Sequence, residues 1–214
     1  MMRAWAPHRF LGTNRRETLI MLSLFLALMG AVWWFLPTRK VGEEGSRYHH
    51  ARTLDPYEKA GVTEFKEGQR GPEFRLKSLE GKRVSLKDYQ GKLVVLNFWA
   101  TWCTPCEVEM PALENLWVSH REKGLVVVGI TVDRGGPRSL IEPYVKGKKL
   151  TFPILLDPDM RTAQAWRVTA IPTTFLVRPD GEVAGVSHGA REWDGKEMVV
   201  LLETLLPPGA HPAR

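Results

Sequence analysis

Residues 93–106 read LVVLNFWATWCTPC, and this stretch decides the fold. Residues 93–99 are apolar except for Asn97 and show no alternation, which is typical of a strand buried on both faces of a sheet. Cys103 and Cys106 follow, and Pro105 between them suits the first turn of a helix. The sequence therefore predicts a buried strand that runs into a helix, with a Cys-x-x-Cys pair at the helix start.

These 2 cysteines are the only ones in the chain, which excludes a disulfide-stapled scaffold and any four-thiolate zinc or iron–sulfur site within one chain. No second Cys-x-x-Cys or spaced His pair completes a metal site, so we predict no metal and no cofactor. A strand-to-helix Cys-x-x-Cys is typical of a dithiol redox centre. Because a helix N-terminus stabilises a thiolate, we predict that Cys103 attacks, that Cys106 resolves, and that the two form a redox-active disulfide. A pair of inert buried thiols is the alternative.

The pattern around this stretch alternates strands with helices and predicts an α/β fold, with one sheet covered on both faces. In the helix that carries the cysteines, Val108, Leu113, Leu116 and Trp117 lie at helical spacing and predict its buried face. The predicted strands are a hairpin over 74–86 and segments at 125–132, 152–156, 173–177 and 182–187. The predicted helices cover residues 105–122, 137–146, 159–166 and 193–206.

The net charge of +6 is concentrated near the N-terminus. Residues 1–36 carry +3, residues 37–70 carry +1, and the remaining 144 residues carry only +2. The bulk of the protein is therefore close to neutral, and we predict no nucleic-acid partner.

An apolar segment near the N-terminus predicts attachment to a membrane. Residues 19–36 contain no charged residue in 18 positions, which is nearly the length that a membrane-spanning helix requires. We predict an uncleaved signal anchor here, with a cleaved signal peptide or a buried soluble helix as alternatives. The four arginines before it favour a cytoplasmic arm over 1–18 and an inner-membrane protein with one span. A linker over 37–70, a domain over 71–207 and a tail over 208–214 would follow, on the periplasmic side or the cell exterior.

Three motifs carry a family resemblance. The segment from Phe98 to Cys106 is similar to the active-site segment of the thioredoxin superfamily, Pro111 resembles its helix-kinking proline, and Ile171-Pro172-Thr173 resembles its cis-proline loop. More narrowly, the anchor, the leading hairpin and the segment inserted before Pro172 resemble the membrane-anchored TlpA/ResA/CcmG group. The resemblance implies a thioredoxin-like fold, which is a central mixed sheet flanked by helices, with an N-terminal hairpin and a central helix-strand insertion. It also implies that Trp102, Ile171 and Pro172 bind the substrate.

The resemblance also raises a question about proton transfer. Many thioredoxins have a buried Asp where this chain has Asn97, which cannot take a proton. Glu109 lies three residues after Cys106, on the same helix face, and the ResA-like group has an acid at this position near its active site. We therefore predict that Glu109 handles a proton, with an acid on the helix surface as the alternative.

The resemblance implies a thiol–disulfide oxidoreductase of the cytochrome c biogenesis type. Its expected partners are extracytoplasmic client proteins with disulfides, such as apocytochrome c or a copper-assembly protein, and a membrane thiol reductant that recycles the dithiol. The cytochrome-maturation branch often has Glu where this chain has Thr173, which favours the ResA and TlpA branches. A copper chaperone using His188 and a thiol peroxidase are alternatives. Peroxiredoxins have Thr or Ser three residues before the reactive Cys, where this chain has Ala100.

Overall fold

The structure is a computed structural model that describes residues 14–35, 55–66, 68–207 and 209. The chain divides into two units, residues 1–52 and residues 53–214. Residues 1–13 of the predicted arm, residues 37–54 of the predicted linker and most of the predicted tail lie outside the described residues.

The first unit contains one described helix, α1 (Arg15–Phe35). It includes all but the last residue of the predicted anchor, and its large apolar side chains are exposed from Leu19 to Trp34. Among the described residues it is the one helix long and apolar enough to cross a membrane, judged by length and composition.

The second unit is built on a single sheet of eight strands in the order β1-β8-β7-β4-β5-β6-β2-β3. Strands β4, β5 and β6 are parallel, and every other neighbouring pair is antiparallel. The sheet is therefore mixed, as predicted, with the hairpin β2–β3 at one edge. The strands are β1 (Thr63–Glu64), β2 (Arg75–Ser78), β3 (Arg83–Ser85), β4 (Leu93–Trp99), β5 (Leu125–Thr131), β6 (Ile154–Leu156), β7 (Thr173–Val177) and β8 (Val183–His188).

Helices cover both faces of this sheet. Phe98 and Trp99 are neighbours in β4 and point to opposite faces. Trp99 packs against Tyr144 with ring centroids 5.1 Å apart, whereas Phe98 packs against Trp166 at 6.3 Å. The helices are α2 (Pro56–Ala60), α3 (Thr104–His120), α4 (Arg138–Gly147), α5 (Arg161–Ala165) and α6 (Lys196–Leu205), with 3₁₀ turns at Leu86–Tyr89 and Arg121–Lys123.

The elements between β5 and β7 match the predicted insertion, because α4, β6 and α5 lie there. The buried face of α3 differs from the prediction at Val108, which is 72% exposed. Met110 takes the core position instead, since it lies one turn after Cys106 and one turn before Leu113.

The ordered domain begins before the predicted boundary at residue 71. Asp55 caps the N-terminus of α2, because its side chain accepts a hydrogen bond from the Tyr57 backbone N–H. Gly61 caps the C-terminus in the left-handed conformation. Strand β1 then pairs with β8, and Tyr57 is buried in the core. Residues 55–66 and 68–70 thus belong to the domain and not to an extended linker. A two-residue strand is too short to show the alternation by which strands are predicted.

Candidate active site

The two cysteines lie where β4 leads into α3. Cys103 is the N-terminal capping residue of α3, and its Sγ accepts a hydrogen bond from the Cys106 backbone N–H at 3.3 Å. The two sulfurs form a disulfide with an S–S distance of 2.05 Å. Cys103 is 5% exposed and Cys106 is 0% exposed, so Cys103 is the sulfur that a second molecule reaches first. The order of attack, Cys103 before Cys106, stays a prediction.

The cis-proline loop lies at the same end of the sheet. The Ile171–Pro172 peptide bond is cis, as the resemblance implied. Thr173, directly after it, pairs with Phe98 at the end of β4. Because β4 continues into the cysteine pair, the register brings Pro172 to the active-site edge. Pro172 is buried and Ile171 is partly buried against the core, whereas Trp102 is 68% exposed beside Cys103.

A buried carboxylate fixes the turn before Cys103. Asp133 follows β5, and its Oδ2 accepts from the Thr101 backbone N–H at 3.0 Å. Its Oδ1 accepts from the Thr101 hydroxyl at 2.8 Å. Sequence reasoning missed this contact. One signal for it was present in the sequence, because Asp133 follows the carboxyl end of a buried strand. The loops that follow parallel strands meet at that edge of the sheet.

Glu109 is buried beneath the cysteine pair and is not an acid on the helix surface. It is 1% exposed and lies on the buried side of α3 with Cys106. Its Oε1 accepts from Asn97 Nδ2 at 2.8 Å. Its Oε2 accepts from Trp193 Nε1 at 2.9 Å and from the Arg191 backbone N–H at 3.2 Å. Burial raises the pKa of Glu109 above its ordinary value, and these hydrogen bonds oppose that rise.

Asn97 links this carboxylate to the neighbouring strand. Its Nδ2 also donates to the Thr174 hydroxyl at 2.9 Å, so both amide hydrogens are used. Its Oδ1 is buried and has no hydrogen-bond partner among the described residues. The residue that replaces the usual Asp therefore positions Glu109 and leaves one free acceptor beside it.

Residues 68–186 match the AhpC/TSA family. The chain belongs to the AhpC/TSA family. A thiol-disulfide oxidoreductase ResA from Bacillus subtilis (strain 168) is 35% identical over 150 residues, covering 70% of this chain and 81% of that protein. A ResA from Geobacillus kaustophilus is 39% identical over 122 residues, covering 57% of this chain and 69% of that protein.

Two solved structures agree with this assignment. A protein described as the thiol:disulfide interchange protein DsbE from Chlorobium tepidum aligns with a TM-score of 0.58 at 28% identity, covering 66% of this chain and 96% of that one. StoA from Bacillus subtilis aligns with a TM-score of 0.50 at 29% identity, covering 56% and 90%. This AhpC/TSA family member has a thioredoxin-like fold and is a thiol–disulfide oxidoreductase.

The described residues of this family member contain no group of three or more His, Cys, Asp or Glu side chains that could hold a metal ion. His188, the candidate for copper binding, lies in β8 opposite Thr173. Its Nδ1 is 3.2 Å from the Thr173 hydroxyl, which donates to the Ala170 carbonyl at 2.7 Å. His188 therefore supports the cis-proline loop.

Proposed function

We propose that this protein is a membrane-tethered reductase that cleaves disulfides in extracytoplasmic client proteins. The observation that carries the proposal is the position of Cys103 at the N-terminus of α3, beside the cis-proline loop and above a buried carboxylate. Unpaired amides and the helix dipole at that position favour the Cys103 thiolate. A reduced Cys103 is therefore a nucleophile that a client disulfide can reach.

The proposed reaction has two exchange steps. The Cys103 thiolate attacks one sulfur of the client disulfide, so that the client S–S bond breaks, one client thiolate leaves and a mixed disulfide forms. Cys106 then loses its proton and attacks the Cys103 sulfur. The second client thiol leaves as the Cys103–Cys106 disulfide forms, which is the state seen in the structure. The client gains two electrons, and a membrane thiol reductant returns two electrons to the enzyme.

Glu109 is proposed as the base for the second step. Cys106 is fully buried, so bulk water does not reach its thiol easily. Glu109 lies one helical turn away on the same buried side of α3, and its raised pKa makes the carboxylate a stronger base than an ordinary glutamate. Asn97, Trp193 and the backbone of Arg191 are then positioning groups, because they act by holding the carboxylate.

Helix α1 is the proposed membrane anchor. Its apolar length and its exposed side chains support a single span of the inner membrane. The arginines on its N-terminal side favour a cytoplasmic start, and the catalytic domain would then face the periplasm or the cell exterior. The names of the relatives, ResA and DsbE, support a general disulfide-exchange role. Apocytochrome c is the client we propose, with a copper-assembly protein as the other client class.

A thiol peroxidase finds less support in the site. Ala100 stands three residues before Cys103 and has no hydroxyl group. Thr101 is the next residue, and its hydroxyl donates a hydrogen bond to Asp133 Oδ1. The described residues around Cys103 thus offer no free hydroxyl at the place where peroxiredoxins have one.

Trapping in cells tests the proposal. A Cys106→Ala variant should accumulate mixed disulfides between Cys103 and its clients, because the resolving thiol is gone. Cys103→Ala is the matched control and should trap nothing. Extracytoplasmic proteins with paired cysteines, including apocytochrome c, are the expected adducts. Adducts restricted to cytoplasmic proteins, or equal adducts in both variants, would contradict the proposal.

A further inference from the structure

An open groove lies on the face of the sheet opposite α3. Its volume is about 530 Å³. The floor and walls are apolar, and the rim is polar. The apolar lining includes Phe65, Pro72, Trp166, Phe175, Val183 and Val186. The polar lining consists of Gln69, Arg70, Arg167 and His188.

The groove is continuous with the active-site edge. It runs along β8 from His188, which pairs with Thr173 beside the cis-proline, towards Val183 at the other end of the strand. The six residues of β8 span about 17 Å at ~3.4 Å per residue. A polypeptide whose disulfide meets Cys103 at the cis-proline loop can therefore continue into the groove for about five extended residues.

The floor of the groove is formed by aromatic rings that pack against one another. Trp166 packs edge-on against Phe175 with centroids 4.9 Å apart, and Phe98 contacts Phe175 at 6.0 Å. Phe98 belongs to β4, the strand that leads into the cysteine pair. A bulky apolar side chain placed here would gain contacts with several rings and would be removed from water.

One wall of the groove is formed by the segment that follows β1. The Phe65 backbone N–H donates to the Ala184 carbonyl at 3.0 Å, and the Val183 N–H donates to the Gln69 carbonyl at 2.8 Å. The wall is therefore held to β8 at both ends. Phe65 and Gln69 are thus fixed against β8 before any ligand arrives, which lowers the entropic cost of binding beside them.

Positive charge in the lining of the groove favours an acidic neighbour. Arg167 makes no ion pair or side-chain hydrogen bond with the residues that the structure describes, and its backbone has a left-handed φ of 54°. His188 lies at the active-site end, where its Nδ1 contacts the Thr173 hydroxyl. Arg70 lies at the far end, where its guanidinium donates to the Asp180 carbonyl and Glu182 is its strand partner. Among the described residues of the lining, Arg167 therefore carries a positive charge without a side-chain partner.

We propose that this groove binds the client polypeptide on one side of its disulfide. It would take an extended segment with an aromatic or large aliphatic side chain over Trp166 and Phe175, and an acidic residue facing Arg167. The inference rests on the proposed reductase function, since the client must reach Cys103 at the same time.

The test uses reduced full-length protein and synthetic peptides with one cysteine, capped as a mixed disulfide with thionitrobenzoate. Thionitrobenzoate release is followed in single turnovers. The peptides carry Phe or Gly, and Asp or Lys, two to four residues from the cysteine. The Phe peptides should react about tenfold or more faster than the Gly peptides, from burial of one large apolar side chain. The Asp peptides should react about threefold faster than the Lys peptides, the effect of an exposed ion pair.

Three variants assign these preferences to the groove, each scored by the ratio between its own peptide rates. Phe65→Ser should lower the Phe:Gly ratio, and Arg167→Glu should invert the Asp:Lys ratio. Arg161→Glu is the matched control, because Arg161 is exposed on α5 outside the groove, and it should keep both ratios. If the wild type reduces every peptide at one rate, the groove is not a client site and the reductase function stands. If the wild type reduces neither the peptides nor 2-hydroxyethyl disulfide, the proposed function itself is wrong.

Discussion

The hydrogen bond between Trp193 and Glu109 allows the pKa of the proposed base to be changed without a substitution at Glu109 itself. The Trp193 indole N–H donates to Glu109 Oε2 at 2.9 Å, and both side chains are buried. This bond stabilises the ionised carboxylate and lowers the pKa of Glu109 against the opposing effect of burial. Trp193→Phe removes the donor and keeps an aromatic ring, so we expect the pKa of Glu109 to rise further.

The size of the effect follows from the strength of the bond. A hydrogen bond to a charged group contributes about 1.5–3 kcal/mol. Since about 1.4 kcal/mol corresponds to a factor of ten, the ratio of ionised to protonated Glu109 at a given pH should fall roughly tenfold to hundredfold. If Glu109 accepts the Cys106 proton, resolution of the mixed disulfide should slow by a similar factor at pH values below the pKa of Glu109. The rate should recover as pH rises through that pKa, where Glu109 is ionised again.

The assay preforms a mixed disulfide on Cys103 and follows release of the thiol by Cys106, from mildly acidic to alkaline pH. Trp117→Phe is the matched control. Trp117 also lies on α3, and its buried indole N–H has no partner among the described residues. Its profile should follow the wild type. If the Trp193→Phe profile superimposes on the wild-type profile as well, Glu109 is not the base for this step.

Three further predictions concern the framework of the site. Asp133→Asn should lower the free energy of unfolding by about 1.5–3 kcal/mol, because an amide NH₂ group replaces one of the two oxygens that accept from Thr101. Urea unfolding measures this loss, and Asp159→Asn at an exposed position is the control. Gly185→Ala should cost about 1–3 kcal/mol, because a Cβ there would lie 2.8 Å from the Thr63 carbonyl oxygen, whereas Gly147→Ala on α4 meets open space and should not destabilise. Because the pKa of Glu109 is raised in the folded state, protonated Glu109 contributes to stability. This contribution is fully present below the unfolded-state pKa and is lost as pH rises through the folded-state pKa. Urea unfolding of the wild type against Glu109→Gln across this pH range should therefore show the variant gaining relative stability as pH rises, and a constant difference would contradict the assignment.

The sequence predicted those parts of the fold that depend on local pattern. The run over 93–99 was assigned correctly because a strand buried on both faces has no polar alternation, and the structure buries all seven of its residues. The start of α3 was predicted because Pro105 and the cysteine pair are local signals. By contrast, α2 and β1 were assigned to a linker, because five helical residues and two strand residues carry too little periodicity.

The surroundings of Glu109 show what local pattern does not contain. Helical spacing placed Glu109 on the same side of α3 as Cys106. Whether that side is exposed depends on Arg191 and Trp193, which lie 82 and 84 residues later in the chain and cover the carboxylate. Asp133 likewise contacts Thr101 across 32 residues. Contacts of this kind follow from the packing of distant segments.

Differential alkylation of the reduced protein tests most directly whether Cys103 is the attacking thiolate. Reduced protein is pulsed with iodoacetamide over a range of pH, quenched, and analysed by peptide mass spectrometry to give a separate rate for each cysteine. The helix N-terminus predicts that Cys103 reacts first and remains reactive at lower pH, while buried Cys106 reacts slowly. Faster alkylation of Cys106, or equal rates with the same pH dependence, would contradict the account.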